Sequence, residues 1–188
     1  MPLSLKERRR RELVRQRRRR RLLIGIPLIV VLVVFGTLIY TRFLRNIPGV
    51  QESTGQARNH NVEANLGAGG LPPMGGSHRP QWLNCGVYEE AVSTELAVHS
   101  MEHGALWLAY RPDLPEDEVS TLERYGDNFT VVAPYPDLES PIVATAWGVQ
   151  LQLDEASDER LEQFIARYKG RGPEQGATCS GGAGVPLS

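Results

Sequence analysis

The four histidines of this 188-residue chain all fall within one stretch of the sequence. Two of them belong to the run His-Ser-Met-Glu-His that begins at His99. If this run is helical, His99 and His103 share a face one turn apart; if it is extended, Met101 points the same way as both. Imidazole is a common metal ligand, and a thioether favours Cu(I). We therefore predict a copper or zinc site formed by His60, His78, His99 and His103, with Met101 as an additional candidate ligand.

Glu102 completes a His-x-x-Glu-His pattern with these two histidines. The inverted zinc peptidases carry this pattern on a long helix, where the glutamate acts as the general base. Here Gly104 follows at once, and a strand-like segment comes after it, so a helix of that length has no room. We therefore disfavour a metal-dependent hydrolase, assign no catalytic residue and expect a protein that is not an enzyme. Glu102 is expected to hydrogen-bond to the histidines, either beside a metal ion or in a purely structural cluster.

The chain has two cysteines, Cys85 and Cys179. In an oxidising compartment an even pair favours a disulfide, which here would close a loop over most of the C-terminal part. Two free thiols, or one thiol that binds a metal, are the alternatives. We predict the disulfide because the charge pattern places this part of the chain outside the cytoplasm.

Charge divides the chain into two unlike parts around an apolar segment. The first 21 residues hold 11 arginines and lysines against two glutamates, whereas the chain from Asn46 onward holds eight basic and 20 acidic side chains. Residues 22–40 carry no charge, and about 20 apolar residues suffice for a transmembrane helix. Because arginine-rich flanks stay in the cytoplasm, we predict a single-pass protein of the cell membrane, with residues 1–21 as a basic cytoplasmic tail and an extracytoplasmic C-terminal domain.

Two alternatives concern this N-terminal region. A cleaved signal peptide has a shorter apolar region and a small-residue cleavage site, and neither is found here, so we favour an uncleaved signal-anchor. A twin-arginine export signal has little support in a run this basic. Basic runs can also bind nucleic acid, but beside a membrane helix their commoner roles are topology and attraction to anionic lipid. We expect the membrane as a partner and no nucleic acid.

The elements that must position the histidines become clear only after His103. Apolar and charge patterns predict a strand at 105–110, a helix at 115–125, a strand at 128–133, a long strand at 141–153 and a helix at 157–169. Residues 41–57 are expected to be a linker, and residues 176–188 a Gly-rich tail. The pattern predicts a compact α+β domain over residues 58–175, with three to five strands and two main helices on one face of the sheet.

Six sequence blocks, in order, resemble a bacterial family of membrane-anchored domains of unknown function, number three-one-zero-five. The main block is Val-His-Ser-Met-Glu-His-Gly at 98–104, where the family typically has His-Ser-Leu-Glu-His-Gly. The others lie at 72–78, 86–88, 133–135, 145–148 and 172–174. In the loop at 72–78, Met74, Gly75 and Ser77 replace the usual Thr, Ser and Pro. Met101 stands where the family has Leu, and this substitution suggests an apolar core position.

The resemblance implies an extracytoplasmic domain behind an N-terminal membrane helix, but it implies no reaction. Our leading hypothesis is a membrane-tethered, metal-binding protein of uncharacterised role. The alternative from a different class is a non-enzymatic interaction or assembly module that binds an envelope protein and uses its histidines structurally.

Overall fold

The structure, a computed structural model, describes residues 5–40, 46–60, 70–174 and 176–187. The chain divides into two compact units, Met1–Arg45 and Asn46–Ser188. In the first unit, helix α1 runs from Leu5 to Ile39 and contains Pro27. Within the described ranges, Arg15–Ile39 is the one helical segment long and apolar enough to cross a membrane, and an 18-residue window in it has a mean hydropathy of 3.0. By length and composition, such a helix could be a membrane anchor or a signal sequence.

The second unit is built on a mixed six-stranded sheet. Its strands, in chain order, are β1 (Gln51–Glu52), β2 (Gly86–Val87), β3 (Leu106–Tyr110), β4 (Thr130–Pro134), β5 (Ile142–Ala146) and β6 (Val149–Leu153). Their spatial order is β1-β6-β5-β3-β4-β2. The pairs β3–β4 and β2–β4 are parallel, and the remaining pairs are antiparallel. The helices of this unit are α2 (Thr94–Glu102), α3 (Glu116–Glu123) and α4 (Glu159–Tyr168).

The predicted α+β class is confirmed, and the strand count is corrected. The sheet has six strands instead of three to five because β1 and β2 span only two residues each, too short to leave a periodic pattern. The long strand expected at 141–153 is a hairpin of β5 and β6. Gly148 turns the chain with φ +76°, a conformation that glycine adopts without strain.

Helices cover both faces of the sheet, whereas the sequence suggested one. Alternate residues of each strand point to opposite faces. On one face Leu106 and Leu108 pack with Leu122 of α3 and Phe164 of α4. On the other face Trp107 joins a cluster that includes the α2 side chains Ala97, Val98 and Met101. Among the described helices, α2 packs on this face of the sheet, whereas α3 and α4 pack on the other. The side of α2 that points away from the sheet can therefore carry a site.

The two ends of this unit are more ordered than the sequence predicted. Within the expected linker, β1 joins the sheet, and Ile47 is only 7% exposed in the core. Residues 41–45 of that linker lie outside the described residues. In the expected tail, Cys179 forms the predicted disulfide with Cys85, and Ala183 forms a parallel bridge with Leu83. The tail is therefore tied to the domain by a covalent bond and by backbone hydrogen bonds.

Candidate metal centre

Helix α2 presents three polar side chains, those of His99, Glu102 and His103, which recur at i, i+3 and i+4. Residues at this spacing share one face of a helix. All three are buried, with exposures of 5%, 1% and 6%. Met101 lies about 200° around the helix from His99, since successive residues turn by about 100°. The segment is therefore helical and not extended, and Met101 does not point the same way as the histidines. Its thioether is fully buried in the apolar cluster beneath α2.

Two irregular segments bring the other histidines to this face. His78 belongs to the Gly- and Pro-rich stretch before β2 and is fully buried. His60 belongs to the segment after β1 and is 39% exposed. The His78 N–H donates to the Asn59 carbonyl at 3.2 Å and thereby ties the two segments together. The rings of His60, His78 and His99 lie 4.8–4.9 Å apart between centroids, and the ring of His103 lies 4.7 Å from that of His99.

Three of the four imidazoles are oriented by backbone carbonyls. Nδ1 of His78 lies 2.8 Å from the carbonyl of Gly76, and Nδ1 of His99 lies 2.7 Å from that of Arg79. Nδ1 of His103 lies 2.6 Å from the carbonyl of Thr178. A carbonyl only accepts, so each Nδ1 carries the proton and donates it. In the neutral ring Nε2 then keeps its lone pair, the arrangement typical of histidines that bind metals.

The Glu102 carboxylate lies among these Nε2 atoms and is 1% exposed. Its Oε1 accepts from Arg58 Nε at 2.9 Å. Its Oε2 lies 3.0 Å from His78 Nε2 and 3.7 Å from His60 Nε2. The 3.0 Å distance would suit an ion pair with a protonated imidazole, but the pair lacks hydrogen-bond geometry, and both atoms are buried without a hydrogen-bond partner. A buried acceptor that lacks a partner is costly, and a cation beside both atoms would satisfy them together.

Among the described residues, two sets of donors could hold a metal ion. The inner set comprises His60, His78, His99 and Glu102; the outer set comprises His99, His103 and Glu174. Within each set the donor atoms lie within 4.8 Å of one another. A tetrahedral zinc ion with bonds of about 2.0–2.1 Å needs donors about 3.4 Å apart, so a small inward shift of these side chains would suffice. The chemistry of both sets, imidazole with one carboxylate, suits copper and zinc.

Burial shifts the pKa of His99, the candidate ligand shared by both sets. Desolvation is the main influence that lowers the pKa of His99 below its usual 6.5, and the three neighbouring histidines lower it further. The hydrogen bond to the Arg79 carbonyl opposes this shift. At neutral pH His99 is therefore neutral, which is the form that binds metals.

The structure brings all four predicted histidines together and adds two residues that the sequence analysis missed. Glu174 lies 3.4 Å from His103 Nε2, and Arg58 pairs with Glu102. Glu174 ends the last of the family-like blocks, and this was its only signal. Arg58 had none, because it lies in an irregular segment far from α2 in sequence. Glu102 Oε1 accepts from Arg58, and Oε2 lies among the histidines without a hydrogen-bond partner, an arrangement that fits a ligand or an orienting group better than a general base.

A family model described as a protein of unknown function, DUF3105, matches residues 68–181, more than half of the chain. This match confirms the resemblance drawn from the sequence blocks. It includes both cysteines and every residue of the two donor sets except His60, which precedes it. Neither the curated proteins nor the solved structures return a match.

Proposed function

We propose that this chain, which belongs to the DUF3105 family of proteins of unknown function, binds a copper or zinc ion in an extracytoplasmic domain tethered to a membrane by helix α1. The ion is held by Nε2 of His60, His78 and His99 and by the Glu102 carboxylate. The role is non-enzymatic binding of the metal, with no bond made or broken in a substrate.

One observation carries the metal proposal. The carbonyls of Gly76 and Arg79 hold Nδ1 of two imidazoles, which leaves the Nε2 atoms of these rings available near a buried carboxylate, with the donor atoms of the set within 4.8 Å of one another. A purely structural cluster would use the second nitrogen of each ring in a hydrogen bond, because buried polar atoms are seldom left without partners. Instead, His78 Nε2 and Glu102 Oε2 lie side by side without one.

The donor set also bears on which ion is bound. Three neutral imidazoles and one carboxylate suit a divalent ion of borderline softness. Affinity at such sites rises along the first-row series to Cu(II) and falls again at Zn(II), so copper is favoured over zinc. Met101 does not contribute to this preference, because it packs in the core.

Charge supports the tether and its direction. The basic residues that precede the apolar part of α1 are expected to stay in the cytoplasm and to attract anionic lipid. The unit from Asn46 onward carries 20 acidic against eight basic side chains, and a disulfide is typical of a domain outside the cytoplasm. Labelling of intact cells with a membrane-impermeant reagent, directed at a tag after Ser188, tests this orientation. Labelling only after lysis would contradict it.

The metal proposal is tested by equilibrium dialysis of the full chain in detergent micelles against Cu(II) or Zn(II), followed by elemental analysis. We expect one ion per chain in the wild type, and loss of that ion in His78→Ala and His99→Ala. The matched control is Leu161→Ala, which removes a fully buried side chain on the opposite face of the sheet. If the wild type binds no ion, or if both histidine variants bind as much as the wild type, the proposal fails.

A specific observation also favours a second function. The carbonyl contacts of His99 and His103 tie two separate segments, the stretch at Arg79 and the tail at Thr178, to the end of α2. On this view the histidines build an envelope interaction module without a metal. Affinity capture from membranes would then recover a stoichiometric partner with metal-free protein, and the histidine variants would lose stability equally with and without added metal.

A further inference from the structure

The outer set of donors forms a second metal position beside the first. His103 Nε2 lies 3.4 Å from Glu174 Oε2, and the rings of His103 and His99 lie 4.7 Å apart. The Thr178 carbonyl orients His103 in the same way as other carbonyls orient the inner histidines. The end of the predicted domain therefore supplies a ligand, Glu174, and the Gly-rich tail supplies an orienting carbonyl, that of Thr178.

His99 belongs to both sets but can serve only one ion at a time. Its Nδ1 carries a proton that is donated to the Arg79 carbonyl, so Nε2 offers the only lone pair. If ions filled both positions, only one of them could bind His99. Either the outer ion would then have only two protein donors, or the inner ion would have only three. The two positions therefore compete for one ligand.

We propose that the two sets are alternate positions for a single ion, which enters at the outer set and moves to the inner set while it stays bound to His99. This inference rests on the proposed metal binding and adds the route by which the ion is loaded. In the transfer, the bonds to His103 Nε2 and Glu174 break, and bonds to His78 Nε2, His60 Nε2 and Glu102 form. No electron moves, and the Nδ1 atoms of His78, His99 and His103 keep their protons.

The carboxylates and the charges beside them give the direction of loading. One donor of each set is 39% exposed, His60 in the inner set and Glu174 in the outer set, but only the outer set has its carboxylate at the surface, since Glu102 is 1% exposed. On the inner side, the guanidinium of Arg58 contacts Glu102 and presents a positive charge to an approaching cation. On the outer side, a cation meets a carboxylate and an imidazole. The outer set has three donors and the inner set four, so the ion gains a ligand when it moves inward.

The test measures the rate of loading separately from the affinity. Full-length protein in detergent micelles is mixed with Cu(II)–glycine in a stopped-flow instrument, and quenching of tryptophan fluorescence follows the binding. Trp82 and Trp147 flank the site, with ring centroids 5.0 Å from His103 and 5.9 Å from His78. The variants are Glu174→Gln and His103→Ala, and Glu89→Gln is the control that removes the same charge from an exposed position elsewhere.

We expect one Cu(II) per chain in all four proteins, an affinity close to that of the wild type in Glu89→Gln, and in the two outer variants a loading rate that falls by a larger factor than the affinity. Loading should slow by about tenfold or more in Glu174→Gln and His103→Ala, the loss typical of a group that supports a metal site, but not in Glu89→Gln. Two ions per wild-type chain, or unchanged loading in both outer variants, would overturn the proposed route while leaving the inner site intact. A wild type that binds no copper would instead remove the proposed function itself.

Discussion

Replacing His78 by alanine is the sharpest test of whether the buried cluster binds a metal. The imidazole is fully buried, it donates to the Gly76 carbonyl, and its Nε2 lies 3.0 Å from Glu102 Oε2. Its loss should lower the free energy of unfolding of the metal-free domain by about 1–3 kcal/mol, as for other buried polar groups. This loss alone decides nothing, because a structural histidine would show it too.

The decisive quantity is the increase in unfolding free energy that added metal produces. With free Cu(II) at about 100 times the wild-type dissociation constant, linkage predicts an increase of about 2.7 kcal/mol. If removal of a ligand weakens binding by about 100-fold, the same copper concentration stabilises the variant by only about 0.4 kcal/mol. A structural cluster predicts an increase near zero in both proteins.

The assay is denaturant unfolding of the full chain in micelles, with and without Cu(II), followed by tryptophan fluorescence. All three tryptophans lie in the unit from Asn46 onward, so the signal reports that unit and not α1. Leu161→Ala should lower stability by about 2–5 kcal/mol and keep the full copper-dependent increase. An increase of wild-type size in His78→Ala would refute the assignment of His78 as a ligand.

Three further predictions follow from the same structure. The double variant Cys85→Ser, Cys179→Ser should lose about 4–5 kcal/mol of unfolding free energy in the chain-entropy model for a separation of 94 residues, which unfolding curves with and without reductant would show. Folding lowers the pKa of His99, so in the absence of metal the unfolded state binds more protons than the folded state. The free energy of unfolding should therefore fall as the pH drops below about 6.5. A pH series of unfolding curves should show a smaller fall in His99→Ala. Asp158 accepts from the N–H of Arg160 at the start of α4, so Asp158→Ala should lower the unfolding free energy by about 1 kcal/mol, whereas Asp158→Asn should keep most of it.

The main elements after His103 could be predicted from the sequence because their patterns are strong. Leu161 and Phe164 mark the buried face of α4, and Glu116 follows Pro115 at the start of α3. The hairpin at 141–153 was missed for a physical reason. All of β5 is buried, but the side chains on the face that carries Leu122 and Phe164 recur at every second position up to Ala146, and the next ones on that face are Val149 and Leu151, so the phase shifts at the turn. That shift, together with Gly148, was the available signal.

The site could be predicted in its ligands but not in its shape. Four histidines in one stretch of sequence indicated a shared site, and the structure groups all four. The nine-residue helix α2 was too short to be told from a strand by periodicity, so the position of Met101 stayed open. The orienting groups are backbone carbonyls, as at Thr178, and every residue type carries one. No pattern of side chains can therefore reveal them.

The glycines after α2 and α4 show why fold and site are difficult to separate in this domain. A Cβ on Gly172 would lie 2.1 Å from the carbonyl oxygen of Glu102, and one on Gly104, whose φ is +103°, would lie 2.9 Å from the carbonyl carbon of Gly170. Only glycine permits this close approach, which brings Glu174 and Thr178 to His103. A substitution there would disturb the core, the tail and the outer donors at once. Loss of stability is therefore expected whether or not the domain binds a metal, and only quantities that change with metal concentration distinguish a metal centre from a structural cluster.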